Sequence, residues 1–138
     1  MADFKKYKMF INGEWVDSES GKTFETLNPE NNKPWAIVPE ASAKDVDKAV
    51  KSAQKAFGGE WSKLLPRERG KFLRAIGDKL RDNAEHLGKI ETLDTGKLYR
   101  ETYKQANYIA EYYDYYAGLA DKIEGTVLPI DKPNIQAI

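Results

Sequence analysis

The chain has 138 residues, 41% hydrophobic and 32% charged, which fits one ordinary globular domain and not a disordered tail. Lys plus Arg equals Asp plus Glu at 22 each, so the net charge is zero, which argues against a nucleic-acid binder with its basic excess. There is no cysteine, so disulfides, thiolate metal sites and a cysteine nucleophile within the chain are excluded.

The opening MADFKKYKMF lacks the apolar stretch of a signal peptide, and no later apolar run approaches a membrane span. The expectation is a soluble, cytoplasmic protein. Residues 9–16, MFINGEWV, place apolar residues around Asn12-Gly13, a pair suited to the positive φ angles of a tight hairpin. DSESG reads as the next turn, KTFETL as a strand, NPENNKP as a breaker cluster, and WAIV as a short buried strand ended by Pro39. Residues 1–40 are therefore read as a small β region.

Residues 41–123 read as four helices. Ser42 to Asp45 resembles a capping box. Behind it Val46, Ala49, Val50, Ala53 and Phe57 recur on one helical face until Gly58-Gly59 stops it. Pro66 opens a second helix that is expected to carry Phe72, Leu73, Ile76 and Leu80 inward. A third bears Leu87, Ile90 and Leu93 and ends near Gly96, and a fourth runs from about Leu98 to Lys122. TVLPI and NIQAI look like strands over 124–138, and the chain stops within the second. That ending leads us to expect part of something longer.

Self-contained chemistry is hard to find. His86 sits early in a helix among polar neighbours and reads as a solvated surface residue. Gly96-Lys97 is no P-loop, because position 91 is Glu and Leu98 replaces the required Ser or Thr. No G-x-G-x-x-G occurs, and no carboxylate pair stands out. The run YIAEYYDYY, residues 108–116, has helical spacing: Tyr108, Tyr112, Tyr115 and Leu119 on one stripe, Tyr113, Tyr116 and Ala120 on the next. Packing into a core is the leading reading, ligand contact by one or two rings is the second, and Glu111 and Asp114 oppose nucleic-acid stacking.

Taken in order, FINGEWVDSESGKTFETLNPENNK, SAKDVDKAVKSAQKAF, Trp61-Ser62, LLPRERGKFLRAIGDKL, ETLDTGK and YYAGLADKIEG before TVLPI resemble the N-terminal region of the NAD(P)-dependent aldehyde dehydrogenases. The resemblance covers nearly the whole chain. It implies an α/β fold, a β-hairpin and strand region followed by four helices, forming part of a Rossmann-like coenzyme-binding domain. It implies an enzyme that oxidises an aldehyde to a carboxylic acid with NAD or NADP, acting as a homo-oligomer, dimer or tetramer.

The family's catalytic cysteine, general base and dinucleotide-binding residues fall outside this chain, so the 138 residues alone should be inactive. The alternative is a truncated, non-enzymatic homologue acting as an interaction module. Matched to the family, Lys104, Tyr108 and Tyr112 become substrate-tunnel positions whose aromatic wall suits a cationic or aromatic aldehyde. Leu27, through its carbonyl, and Asp94 become ligands of a monovalent cation, with a third ligand beyond residue 138. Capping beside Gly96 is the other reading of Asp94. Leu98 departs from the family, which usually has Pro there.

Overall fold

The computed structural model describes residues 4–125 and Asn134. Strand β1 is Lys5–Lys6, β2 Met9–Ile11, β3 Glu14–Val16, β4 Thr23–Asn28 and β5 Lys33–Pro39. Helix α1 is Ala43–Gly58, α2 Glu60–Lys63, α3 Pro66–Asp82, α4 Ala84–Thr95 and α5 Tyr99–Leu119. The mixed α/β class holds, with four long helices and, over Trp61-Ser62, one extra turn (α2). The two strands expected over residues 126–130 and 135–138 lie outside the described residues. Among the described residues, no helix is long and apolar enough to cross a membrane.

Hairpin β2–β3 pairs Met9 with Val16 and Ile11 with Glu14. Its turn holds Asn12 at φ 56° and Gly13 at φ 83°, the two positive angles of a type I′ turn that match the twist of the strands. The second sheet has the order β1-β5-β4, with β4 antiparallel to β5 and β1 parallel to it. A register shift between Thr26 and Leu27 bends β4 just before the NPENNK turn. There the Asn28 side chain accepts from the Glu30 N–H at 2.9 Å.

The expected capping box is present. The Ser42 N–H donates to Asp45 at 2.8 Å, and the Asp45 N–H donates back to Ser42 Oγ at 3.3 Å. Pro66 stands at the start of α3, and α4 ends at Gly96 with φ 74°, a left-handed cap.

The core differs from expectation. Helices α3 and α4 meet α5 along small residues: Gly70 and Gly77 on α3, Ala84 and Gly88 on α4, and Thr102, Ala106, Ala110 and Ala117 on α5. The backbones come so near that a Cβ at Gly88 would lie 2.9 Å from the Tyr103 nitrogen. Thr102 is fully buried at this seam. Its proton serves the Gly88 carbonyl at 2.9 Å, which leaves its oxygen free to accept from Thr92 Oγ1 at 3.0 Å.

Phe72 and Ile76, expected inward, are exposed on the far side of α3, where Trp61 leans on Phe72 at 5.7 Å. Val46, Val50 and Phe57 of α1 are exposed too. Periodicity identifies the apolar face of a helix, and it does not say that the covering partner is in the same chain.

Candidate functional site

Helix α5 uses its small residues to pack, so most of its tyrosines are turned elsewhere. Tyr113 reaches the seam beside Gly77, while Tyr108, Tyr112, Tyr115 and Tyr116 are exposed. Core packing, the leading sequence reading of the run, therefore fails for these four. Rings one turn apart on a helix meet readily. Tyr108 and Tyr112 stand edge to face with centroids 5.0 Å apart and hydroxyls 3.1 Å apart. Tyr115 and Tyr116 make a second edge-to-face pair at 5.3 Å.

With Glu111, these four rings line an open recess of about 400 Å³. The hydrogen bond to Tyr108 pushes the Tyr112 phenol above its usual value, because the bond favours the protonated form. Behind the wall, Arg81 on α3 pairs with Asp114 and links α3 to the tyrosine helix. Four ring faces with one carboxylate form a surface complementary to a cation or to another ring.

Of the three residues read as a wall, the structure brings Tyr108 and Tyr112 together. Lys104 lies one turn earlier on α5 and does not line the recess. Glu111, Tyr115 and Tyr116 were not singled out from sequence as site residues. The usable signal was Tyr116 four residues after Tyr112, and Glu111 four before Tyr115.

A second recess, of about 350 Å³, lies between the sheet and α4 and is lined by Tyr7, Phe24, Thr26, Trp35, Val38, Ile90 and Asp94. Thr26 Oγ1 donates to Asp94 Oδ1 at 2.6 Å, which fixes this carboxylate beside β4 at the residue before Leu27. Asp94 thus bridges α4 to the sheet. Capping of α4 falls instead to the Gly96 N–H, which donates to the Thr92 carbonyl at 2.9 Å. Tyr7 Oη and Trp35 Nε1, in rings 6.1 Å apart, are buried donors without a partner among the described residues. An indole N–H donates and cannot ligate a cation, so Asp94 and the Leu27 carbonyl are the two oxygens this region offers to one. Among the described residues, no group of three or more His, Asp or Glu could hold a metal ion. His86 is exposed.

A model of the aldehyde dehydrogenase family matches residues 15–138. The (Z)-2-((N-methylformamido)methylene)-5-hydroxybutyrolactone dehydrogenase of Acinetobacter baylyi is 45% identical over 134 residues, 96% of this chain and 27% of that protein. The fold superposes on the NAD-dependent aldehyde dehydrogenase of Sinorhizobium meliloti with a TM-score of 0.88 at 31% identity, over 96% of this chain and 27% of that one. It also superposes on the betaine aldehyde dehydrogenase of Staphylococcus aureus, solved in complex with NAD+, with a TM-score of 0.85 at 39% identity. That alignment covers 92% of this chain and 26% of the other. The chain thus spans about a quarter of the length of these relatives.

Proposed function

The chain belongs to the aldehyde dehydrogenase family, and from that membership we propose that it is the N-terminal portion of an NAD(P)+-dependent enzyme that oxidises an aldehyde to its carboxylic acid. The observation that carries this reading is the continuous match over residues 15–138, together with the superposition of the fold on solved members.

The cofactor, when bound, accepts a hydride. This chain's residues do not fit it: there is no cysteine to attack an aldehyde and no glycine-rich turn for a dinucleotide phosphate. No chemical step is therefore assigned to these residues. Their role is to position substrate and to support the coenzyme domain. Residues 1–40 form its β region, 41–123 its helical region, and 124–138 lead toward the remainder.

Within this reading, Lys104, Tyr108 and Tyr112 belong to the substrate tunnel, and Glu111, Tyr115 and Tyr116 extend its wall. The recess they line favours an aldehyde that carries a cation or a ring. Leu27 and Asp94 supply two oxygens to a monovalent cation, a role supported by the Thr26 bond that holds Asp94 at β4. The family resemblance supports a homo-oligomer, dimer or tetramer, in the cytoplasm.

The test is NADH formation with short, aromatic and cationic aldehydes. The isolated chain is expected to be silent. A covalent fusion of this chain to the remainder of the Acinetobacter relative is expected to turn over, and an inactive, folded fusion would sink the proposal. In the active fusion, K⁺ is expected to raise the melting temperature, and Asp94→Ala to abolish that rise.

A further inference from the structure

Helix α1 is amphipathic, yet its apolar side has no partner among the described residues. At about 100° per residue, Val46, Val50, Ala53 and Phe57 fall within roughly 60° of one another. Val46 is 55% exposed, Val50 49% and Phe57 75%. The hairpin covers the other side of the helix: the groove between them is lined by Asp45, Lys48, Lys51, Ser52 and Lys55. It is fastened there by the Ser52 Oγ bond to Asn12 at 3.1 Å. The helix is thus held by its polar face and presents its apolar one.

We propose that this stripe is the seat on which the remaining three-quarters of a family-length polypeptide docks, so that the 138 residues act as a separable module able to capture that remainder in trans. The proposal rests on the functional reading above. Two observations select this occupant over a second copy of the chain. First, the fold seen here recurs in solved relatives as 26% and 27% of a single longer chain.

Second, exposed large apolar side chains are not gathered in one patch. They occur on the hairpin at Trp15, on β4 at Phe24, on α3 at Phe72 and on α5 at Leu98, as well as along α1. A two-fold partner covers one self-complementary patch of about 800 Å². A polypeptide almost three times the length of this chain can cover several faces at once.

The test co-expresses tagged wild-type chain with the untagged remainder of the Acinetobacter relative and measures the remainder that copurifies. Capture is expected, and Val50→Asp with Phe57→Asp should lower it by about tenfold or more, since two buried apolar side chains would be lost. Lys55→Asp, which puts the same new charge on the opposite side, should leave capture intact. Both positions of the double variant are exposed, so its far-ultraviolet circular dichroism should match wild type. If it does not, Val50→Ala with Phe57→Ala, which keeps the helix, takes its place and should still lower capture severalfold.

Undiminished capture by the double variant would overturn the seat. So would a folded wild-type chain that captures nothing, or one that elutes as a discrete dimer instead. The covalent fusion separates the two ideas. An active fusion combined with failed capture removes the docking proposal and keeps the functional one, whereas an inactive fusion removes the functional reading whatever is captured.

Discussion

Asp45 shows how one residue ties separate segments together. It is 3% exposed, and its two oxygens accept from the Ser42 and Glu19 N–H groups and from the Ser42 and Ser18 hydroxyls. Through it the turn after the hairpin is fastened to the start of α1. Next to it, Lys44 and Lys48 close on Glu19 at 2.9 and 2.6 Å.

These donors, the Ser42 backbone first, lower the Asp45 pKa from 3.8 to about 2. A depressed carboxylate contributes stability that is full above its unfolded value and is lost as pH falls through its folded one. Asp45 is therefore expected to contribute to acid unfolding between pH 3.8 and about 2. Asp45→Asn should lower the urea midpoint at neutral pH and flatten its decline across that window. A midpoint that falls as steeply in the variant would exclude Asp45 as the source. Ser42→Ala, which removes the N-cap oxygen, should cost about 1 kcal/mol in the same measurement.

Tyr108 permits a second test at this scale. Its hydroxyl, 3.1 Å from that of Tyr112, is the first cause of the raised Tyr112 pKa. Tyr108→Phe should therefore bring the Tyr112 phenol back down, seen in a titration of its ring carbons by NMR. An unmoved Tyr112 would mean the pair is not bonded in solution.

At the scale of elements, fit and propensity pull in opposite directions at the glycines. Ala is favoured over Gly inside a helix by about 1 kcal/mol. At Gly118 an added Cβ meets nothing within 4 Å, so Gly118→Ala should stabilise the chain by up to about that amount. At Gly88 the same atom would lie 2.9 Å from Tyr103 N and 3.0 Å from its Cα, both backbone atoms that cannot swing aside. Overpacking of this kind costs about 1–3 kcal/mol, which meets or exceeds the propensity gain. Gly88→Ala should thus lower the thermal midpoint while Gly118→Ala raises it. Shifts of the same sign would contradict the close approach of α4 and α5.

That seam also marks where sequence reading ran out. Element starts and stops were legible because their signals are local: Asn12-Gly13 for the hairpin, Ser42 with Asp45 for α1, Pro66 for α3 and Gly96 for the end of α4. The packing faces were not. Hydropathy gives Gly70, Gly77 and Gly88 no weight, yet they set how near the helices come, while Phe72 and Ile76 look like core and are exposed. Strand β1 escaped notice because Lys5-Lys6 has no apolar pattern and pairs with Ala36 and Ile37 far along the chain. In the wall, Tyr108 and Tyr112 were legible from their one-turn spacing, and the misplaced Lys104 came from extending that stripe one turn too far.

For the whole molecule, the tyrosine wall matters only if it faces substrate once the missing polypeptide is in place. The isolated chain leaves it open to solvent, which agrees with a wall of a tunnel whose other sides lie elsewhere. Ring-to-cation attraction contributes about 0.5–2 kcal/mol, depending on how far water is excluded. That is a factor of roughly two to thirty in affinity. In the active fusion, Tyr108→Ala and Tyr112→Ala should each raise the KM for a quaternary-ammonium aldehyde within that range. The KM for a short neutral aldehyde should move much less, and that for NAD+ not at all.

Glu111→Gln provides an independent arm, because it keeps the shape of the recess and removes its carboxylate. It should weaken the cationic aldehyde and spare an aromatic neutral one, whereas loss of either ring should weaken both. If NAD+ affinity changes while the aldehyde ranking holds, α5 serves the coenzyme side of the domain and the tunnel assignment fails.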